Sequence, residues 1–350
     1  MKLFQRRNLP WYSLIILAIF LFHIFGGFFR LMEKKFSKDF NYPYDVKLKQ
    51  LVDRMMIGEK YTPLNEFQYS IDSYGPYICK NPARLLFLVK SAAKNYRRRN
   101  IIRKTWGSPV HYESVKTVFL VGETTSKSVN MMVVRENEIL KDLVLGNYID
   151  SYYNLTLKTM TGLKWASEIC SQNVEYFMFV DDDYYVSTKN ILKFLNDPYT
   201  YPGTEFDVKN VTNIDTDEFC LYTGFVYKKE RPIRKIFCKW FIPLKDYPYD
   251  FWPPYSTGGA YILSRKSLRM MNYASLFTKP IRLEDVYIGL LAYRLGIQPV
   301  SNNENFKMEA KYDFEGYRHV LAAHGFQEPR KLWMVWKEQS LADQNSSLGS

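Results

Sequence analysis

The apolar and polar positions divide the chain into three stretches. Trp11–Phe29 runs for 19 residues without Asp, Glu, Lys or Arg, which is long enough to span a bilayer as a helix. From Arg30 to about Lys80, charged residues mix with Tyr and Pro, with a short helical pattern over Val46–Ile57 and an irregular stretch over Asn65–Pro76. From Arg84 onward, apolar runs of strand length alternate with helix-period segments. Leu85–Val89 predicts a strand, Tyr96–Trp106 a basic helix, Val115–Val121 a strand and Val129–Leu140 a helix. Tyr148–Asp150 predicts a short strand and Thr156–Ser171 a further helix. Tyr176–Val180 is apolar, aromatic or β-branched and predicts a fully buried strand; Ile191–Leu195 continues as a helix. This alternation argues for an α/β sandwich around a mainly parallel sheet. The region from about Asp197 to Pro254 is richer in Tyr and Pro. Its β-like runs, notably Cys220–Lys228, predict antiparallel strands and loops. Gly258-Gly259-Ala260 reads as a turn or as a place where backbone approaches a ligand closely. Ser264 opens a helical pattern, and a helical run over Tyr287–Leu295 is closed by Gly296.

Chemistry enters where the buried strand stops. Asp181, Asp182 and Asp183 follow Val180 directly. Three adjacent carboxylates repel one another, and a desolvated ion is costly to leave unpaired. The cluster therefore predicts either a cation site, with Mg²⁺, Mn²⁺ or Ca²⁺ suited to hard oxygen ligands, or a solvated acidic turn. A second acidic pair, Glu284-Asp285, precedes a helix, where it would also favour the helix N-terminus.

Composition changes the picture in three places. Aromatics make up 17% of the 350 residues, which fits an aromatic-lined pocket or plain compositional bias. The net charge is +12, yet no basic stripe interleaved with aromatics occurs, so nucleic acid is not expected as a partner. The four cysteines, Cys79, Cys170, Cys220 and Cys238, form no CxxC pair, which argues against a thiolate zinc site; their disulfide pairing stays open. Sequons at Asn154, Asn210 and Asn345 support a luminal location for the part beyond the apolar run, whereas basic residues on both sides leave the positive-inside count undecided. A cleaved signal peptide would need a shorter apolar core and a small-residue site. The expected layout is a cytoplasmic tail over 1–10, a signal anchor over 11–29, a stem over 30–80, a luminal domain over 81–340 and a tail over 341–350.

Several blocks then fall into one order. Arg98-Arg99-Asn-Ile-Ile-Arg103-Lys-Thr105-Trp106-Gly107 resembles the RRxxIRxTW block of β-1,3-galactosyltransferase-type enzymes. Tyr148–Thr159 resembles that family's second block, Asp181-Asp182-Asp183 its DDD, and Pro253–Ser264 its YPxYxxGxGYVLS block. Glu284-Asp285-Val286-Tyr-Ile-Gly289 resembles its EDVYxG block, and His324 with Trp333 and Trp336 its closing segment. Departures are Trp252 in place of a usual Tyr, Ala260 in place of a common Gly, and Leu291 where many members carry a Cys.

The resemblance implies a GT-A-like, Rossmann-type α/β/α fold and a Golgi type II membrane enzyme. The implied activity is inverting, metal-dependent transfer of galactose, or of GlcNAc or GalNAc, from a UDP-sugar to a glycan on protein or lipid in β-1,3 linkage. It implies Mn²⁺ or Mg²⁺ held by Asp183 with Asp181 and His324, and Asp285 as the base, with Glu284 binding the sugar or tuning its neighbour. Ser91, Arg103, Lys158, Asp181, Asp182, Gly258 and Gly259 are then expected on the donor side, with Trp252 and Tyr255 in the acceptor or sugar pocket. Arg103 and Lys158 also read as scaffold. A homodimer is compatible with this layout. The competing readings are a catalytically inactive, membrane-tethered glycan-binding protein or chaperone on the same fold, and a metal-dependent nuclease, which a membrane anchor fits poorly.

Overall fold

A computed structural model describes residues 11–42, 47–65, 70–204, 219–309 and 311–348. The chain divides into two units: Met1–Tyr42 with Lys229–Pro253, and Pro43–Lys228 with Pro254–Ser350.

The first unit joins two distant pieces of chain. It contains helices α1 (Trp11–Ile24), α2 (Gly27–Leu31) and α3 (Phe36–Asp39). The apolar run therefore does not form one helix. It breaks at Gly26, whose φ of 84° is left-handed and whose missing Cβ lets Arg234 pack against it, a conformation that glycine adopts without a steric penalty. Among the described residues, no helix is long and apolar enough to cross a membrane. Arg234 is buried and donates to Glu33 at 2.9 Å and to the carbonyls of Ile242, Tyr247 and Tyr249 at 2.6, 2.8 and 3.0 Å. Asp250 accepts from the Phe36 amide at 2.9 Å and pairs with Lys35 at 3.1 Å. The segment just after the apolar run is thus folded, held by ion pairs and backbone bonds to residues 229–253.

The second unit begins with α4 (Leu48–Met56), β1 (Ile71–Ser73), α5 (Gly75–Ile78), β2 (Ala83–Lys90) and α6 (Tyr96–Lys104). β3 (Val115–Glu123), α7 (Lys127–Leu140), β4 (Leu143–Ile149), α8 (Leu155–Trp165) and β5 (Val174–Asp181) follow. Next come β6 (Tyr184–Val186), α9 (Thr188–Asn196), β7 (Tyr222–Tyr227), β8 (Tyr255–Ser264), α10 (Arg265–Ser275) and α11 (Glu284–Leu295). The chain closes with β9 (Val300–Ser301), β10 (Phe306–Lys307), β11 (Ala322–His324) and α12 (Pro329–Leu348).

Eight strands form one sheet in the order β1-β4-β3-β2-β5-β8-β7-β9. Its centre, β4-β3-β2-β5, is parallel; β1 pairs antiparallel with β4, β8 with both β5 and β7, and β9 runs parallel to β7. A separate sheet, β10-β11-β6, flanks it. The central strands read as continuous apolar runs because both faces are covered. Leu85, Phe87, Val89, Tyr176 and Met178 face a core shared with Ile102, Ile191 and Leu332 from α6, α9 and α12 and with Trp106 just beyond α6. Leu86, Leu88, Phe177 and Phe179 face the other core, shared with Val52, Leu163, Leu268 and Ile288 from α4, α8, α10 and α11. The alternation is the period-two signature of a strand, read here on two apolar faces. Cys79 is bonded to Cys170, with Cα atoms 5.1 Å apart, which ties the entry to β2 to the turn that follows α8; Cys220 and Cys238 are free.

Candidate active site

The site forms where the carboxyl ends of β2 and β5 meet β8 and the start of α11. β2 ends in Lys90 and β5 in Asp181, and the parallel register pairs these two residues. Ligand sites in open α/β sheets lie at such strand ends.

Lys90 is only 4% exposed. Its ammonium donates to the Gly258 carbonyl at 2.7 Å and to Glu284 Oε1, and it lies 2.9 Å from Asp181 Oδ1. Three acceptors thus meet the three donor positions of one ammonium. Burial works against that charge, but Asp181 and Glu284 outweigh it and raise the Lys90 pKa above its ordinary value. Glu284 is itself buried, and its second oxygen accepts from the Thr159 hydroxyl on α8.

The glycine pair lies inside β8, not in a turn. A Cβ at Gly258 would run into the Glu284 carboxylate, and one at Gly259 into the Tyr184 hydroxyl. Both glycines make room for side chains of the site.

The three aspartates go three ways. Asp181 turns to Lys90. Burial pushes its carboxyl up to about 7, Lys90 opposing and Glu284 and Asp183 adding to the rise; 39% of its side-chain surface stays open, so solvent softens the shift. Asp182 turns inward and is buried. It accepts from Ser91 Oγ at 2.6 Å, Asn95 Nδ2 at 2.9 Å and Arg98 Nη1 at 2.9 Å, fixing the β2–α6 turn. Asp183 faces His324, with Oδ2 3.5 Å from His324 Nε2 and 3.3 Å from Gln327 Nε2. The antiparallel pairing of β6 with β11 sets His324 opposite Tyr184, hence beside Asp183.

Among the described residues, no group of three or more His, Cys, Asp or Glu side chains is gathered for a metal ion. What fits a divalent ion is narrower: one carboxylate and one imidazole side by side, a mixed set that Mn²⁺ accepts. Small hard cations commonly bind through one or two protein ligands, with water and substrate phosphates filling the rest.

Asp285 sits in the first turn of α11. Its Oδ1 accepts from the Val286 amide at 2.8 Å, and it makes no ion pair among the described residues. Burial pushes its carboxyl up to about 6; Glu284 adds to the rise, while the Val286 amide and Lys90 oppose it.

Other residues named from the sequence have different roles. Ser91 is buried, donating to Asp182 and accepting from Arg99 at 3.1 Å. Lys158 is buried between the Ser91 carbonyl and Asp150 Oδ1, each at 2.7 Å. Arg103 turns away from the carboxylates of the site. It pairs with Glu136 at 2.7 Å and with both oxygens of Asp142 at 2.7 and 2.9 Å, and it lies over the Phe119 ring. Tyr255 opens β8 with its ring 5.7 Å from that of Tyr227. Trp252 belongs to the first unit, where it is buried with its ring 4.0 Å from that of Tyr247. Asn154 donates to the Ile149 carbonyl at 2.8 Å, Asn345 falls on α12, and Asn210 lies outside the described residues. The sequence reading passed over Lys90, Thr159 and Gln327. A lysine closing an apolar strand was the available sign for the first; the other two carry no local sign.

Similarity to known proteins follows this geometry. Residues 97–303 match the family described as Galactosyltransferase. The chain is 35% identical over 341 residues to the β-1,3-galactosyltransferase brn of Drosophila melanogaster, covering 95% of this chain and 97% of that protein. It is 32% identical over 281 residues to β-1,3-galactosyltransferase 1 of Mus musculus, covering 79% of this chain and 81% of that protein. Among solved structures, mouse xyloside xylosyltransferase 1 in its apo form aligns with 70% of this chain and 97% of its own at 9% identity, with a TM-score of 0.32.

Proposed function

The chain belongs to the galactosyltransferase family, and on that premise we propose that it is an inverting, metal-dependent enzyme moving galactose from UDP-galactose to a glycan in β-1,3 linkage. UDP-GlcNAc and UDP-GalNAc rank behind UDP-galactose as donors. The acceptor glycan sits on glycoprotein or glycolipid. The observation that carries this reading is the sharing of one buried ammonium, that of Lys90, by Asp181 and Glu284. In this reading Asp183 with His324 serves the metal ion, and Asp285, next in sequence to Glu284, serves as the base.

Asp285 receives the proton of the attacking acceptor hydroxyl. The acceptor oxygen bonds to the anomeric carbon as the bond from that carbon to the UDP phosphate oxygen breaks. Attack opposite the leaving group converts an α-linked donor into a β-linked product. A carboxyl at about 6 is mostly ionised near neutrality yet basic enough to take the proton. Glu284, paired with Lys90 and hydrogen-bonded by Thr159, would hold the sugar. Asp183 and His324, with Asp181 beside them, would hold Mn²⁺ or Mg²⁺. When bound, that ion supplies Lewis-acid compensation for charge on the departing diphosphate.

The proposed setting is a Golgi membrane with the second unit luminal and residues 11–29 as the anchor. The outward-facing apolar side chains of α1 and the Cys79–Cys170 bond support an anchored protein in an oxidising lumen.

The test incubates the full-length chain in detergent with Mn²⁺, a panel of UDP-sugars and a glycan array, and reads UDP release and product. UDP-galactose is expected to be consumed, and EDTA to suppress the signal. Glycan binding without UDP release from any donor would instead establish the inactive, glycan-binding reading.

A further inference from the structure

α1 has no buried residue. Its apolar side chains point outward all round: Trp11 is 74% exposed, Ile16 64% and Phe20 56%. A helix without a polar face does not lie flat at an interface; it requires apolar surroundings on every side. Just beyond its end, a segment from much later in the chain is fixed to it. The Ile236 amide donates to the Ile24 carbonyl at 3.2 Å, the Lys235 ammonium lies 5.8 Å from the centre of the Phe25 ring, and the rings of Phe29 and Phe241 are 5.7 Å apart. In this segment Phe237 is 84% exposed and Trp240 43%. Lys239 lies 4.4 Å over the Trp240 ring, and Lys235 and Lys239 are both exposed. Exposed aromatics interleaved with lysines suit a membrane–water boundary, where rings sit at headgroup level and lysine stems lie along apolar surface with the ammonium in the polar layer.

We propose that residues 235–241 form a foot resting on the lipid surface entered by the apolar run, with Phe237 and Trp240 in the headgroup–acyl boundary and Lys235 and Lys239 at lipid phosphates. This rests on the anchor reading given above. The occupant is a bilayer because the patch is continuous with a helix that needs lipid on all sides, and because its lysines interleave with exposed aromatics as side chains at headgroup level do. The foot fixes how the first unit meets the membrane, a task that a flexible stem would leave undone.

The test uses the full-length chain in nanodiscs of phosphatidylcholine. In a Cys220→Ser, Cys238→Ser background, Phe237→Cys and separately Trp240→Cys carry an environment-sensitive fluorophore. Ile57→Cys, at a position 81% exposed, is the aqueous comparison. The expected result is blue-shifted emission at 237 and 240, with strong quenching by lipids bearing a nitroxide near the headgroup and protection from iodide, and none of these at 57. Labels at 237 and 240 that iodide quenches as fully as the label at 57 overturn the foot. Carbonate extraction reports the anchor separately. A chain that resists extraction while its labels stay wet loses the foot alone; a chain that is extracted loses both readings.

Discussion

Lys90 and Glu284 form an ion pair across 194 residues of chain, and both are buried. The pair joins the end of a central strand to the start of α11, so the position of Asp285 depends on a residue that never needs to touch substrate. Removing one partner of a buried pair leaves the other charge uncompensated, a loss of about 3–5 kcal/mol. Lys90→Met is therefore expected to lower the melting temperature sharply, and Lys90→Met with Glu284→Gln to recover part of that stability without recovering activity. A single variant as stable as the parent in thermal unfolding would show that the knot does not hold the site.

Asp285→Asn is expected to reduce kcat by roughly two to four orders of magnitude, the span of general-base contributions, while UDP binding survives. The same change should stabilise the fold at neutral pH. The folded state raises the Asp285 carboxyl to about 6 from an ordinary value of 3.8, so the ionised form costs stability once pH exceeds the ordinary value, and fully so above about 6. Removing the charge should return about 1–3 kcal/mol, from the shift at 1.36 kcal/mol per unit. Near-parental turnover, read as product formed per enzyme, removes Asp285 from the base role.

The acidic limb of the pH profile follows from the same carboxyl. A base must be unprotonated, so kcat/KM is expected to fall about tenfold per pH unit below about 6 and to flatten above it. Initial rates with saturating Mn²⁺ across pH 4.5–8 (about the range in which such groups titrate) are the measurement. A flat profile through 6 would point to another group.

Asp183→Ala is expected to abolish Mn²⁺-dependent UDP binding in calorimetry. His324→Ala should raise the Mn²⁺ concentration needed for half-maximal rate while leaving some activity, since a carboxylate ligand remains. An unchanged Mn²⁺ requirement in His324→Ala would make the imidazole a packing group beside Tyr184.

Arg103 separates structure from donor binding. Its guanidinium is committed to Glu136 and Asp142, and burial of Glu136 is offset by Arg99 and Arg103, which hold that carboxyl below its usual range. Arg103→Ala should cost about 3–5 kcal/mol of stability, as for a broken buried pair, with the KM for the UDP-sugar unchanged. A large rise in KM with stability intact would place Arg103 at the phosphates instead.

The strands and helices around the site were legible where periodicity was strong. Leu85–Val89 and Tyr176–Val180 announced buried strands because both faces pack, and the Asp triad marked the end of one. The short strand expected at Tyr148–Asp150 is instead Leu143–Ile149, since Gly146 and Asn147 interrupt the apolar pattern. Gly258 and Gly259 read from the sequence either as a turn or as a close approach to a ligand, because glycine is ambiguous alone; what they accommodate is Glu284 and Tyr184, known only in three dimensions. The divergent fates of three consecutive aspartates were equally hidden. Strand alternation turns neighbours to opposite sides, but which side holds Lys90, Ser91 or His324 depends on pairing between distant segments.

On the proposed anchor, Arg234 bears on how the protein would leave a membrane. Its guanidinium is satisfied by Glu33 and by carbonyls of residues 242–249, so the peptide preceding Tyr42 and the segment 229–253 share one buried charge. A protease cutting between Tyr42 and α4 severs the chain without separating the pieces. If residues 11–29 anchor the chain as proposed, the nicked protein would stay on its membrane until the Glu33–Arg234 contact also opened, and release by such a cut would take two steps, the second governed by a dissociation rate.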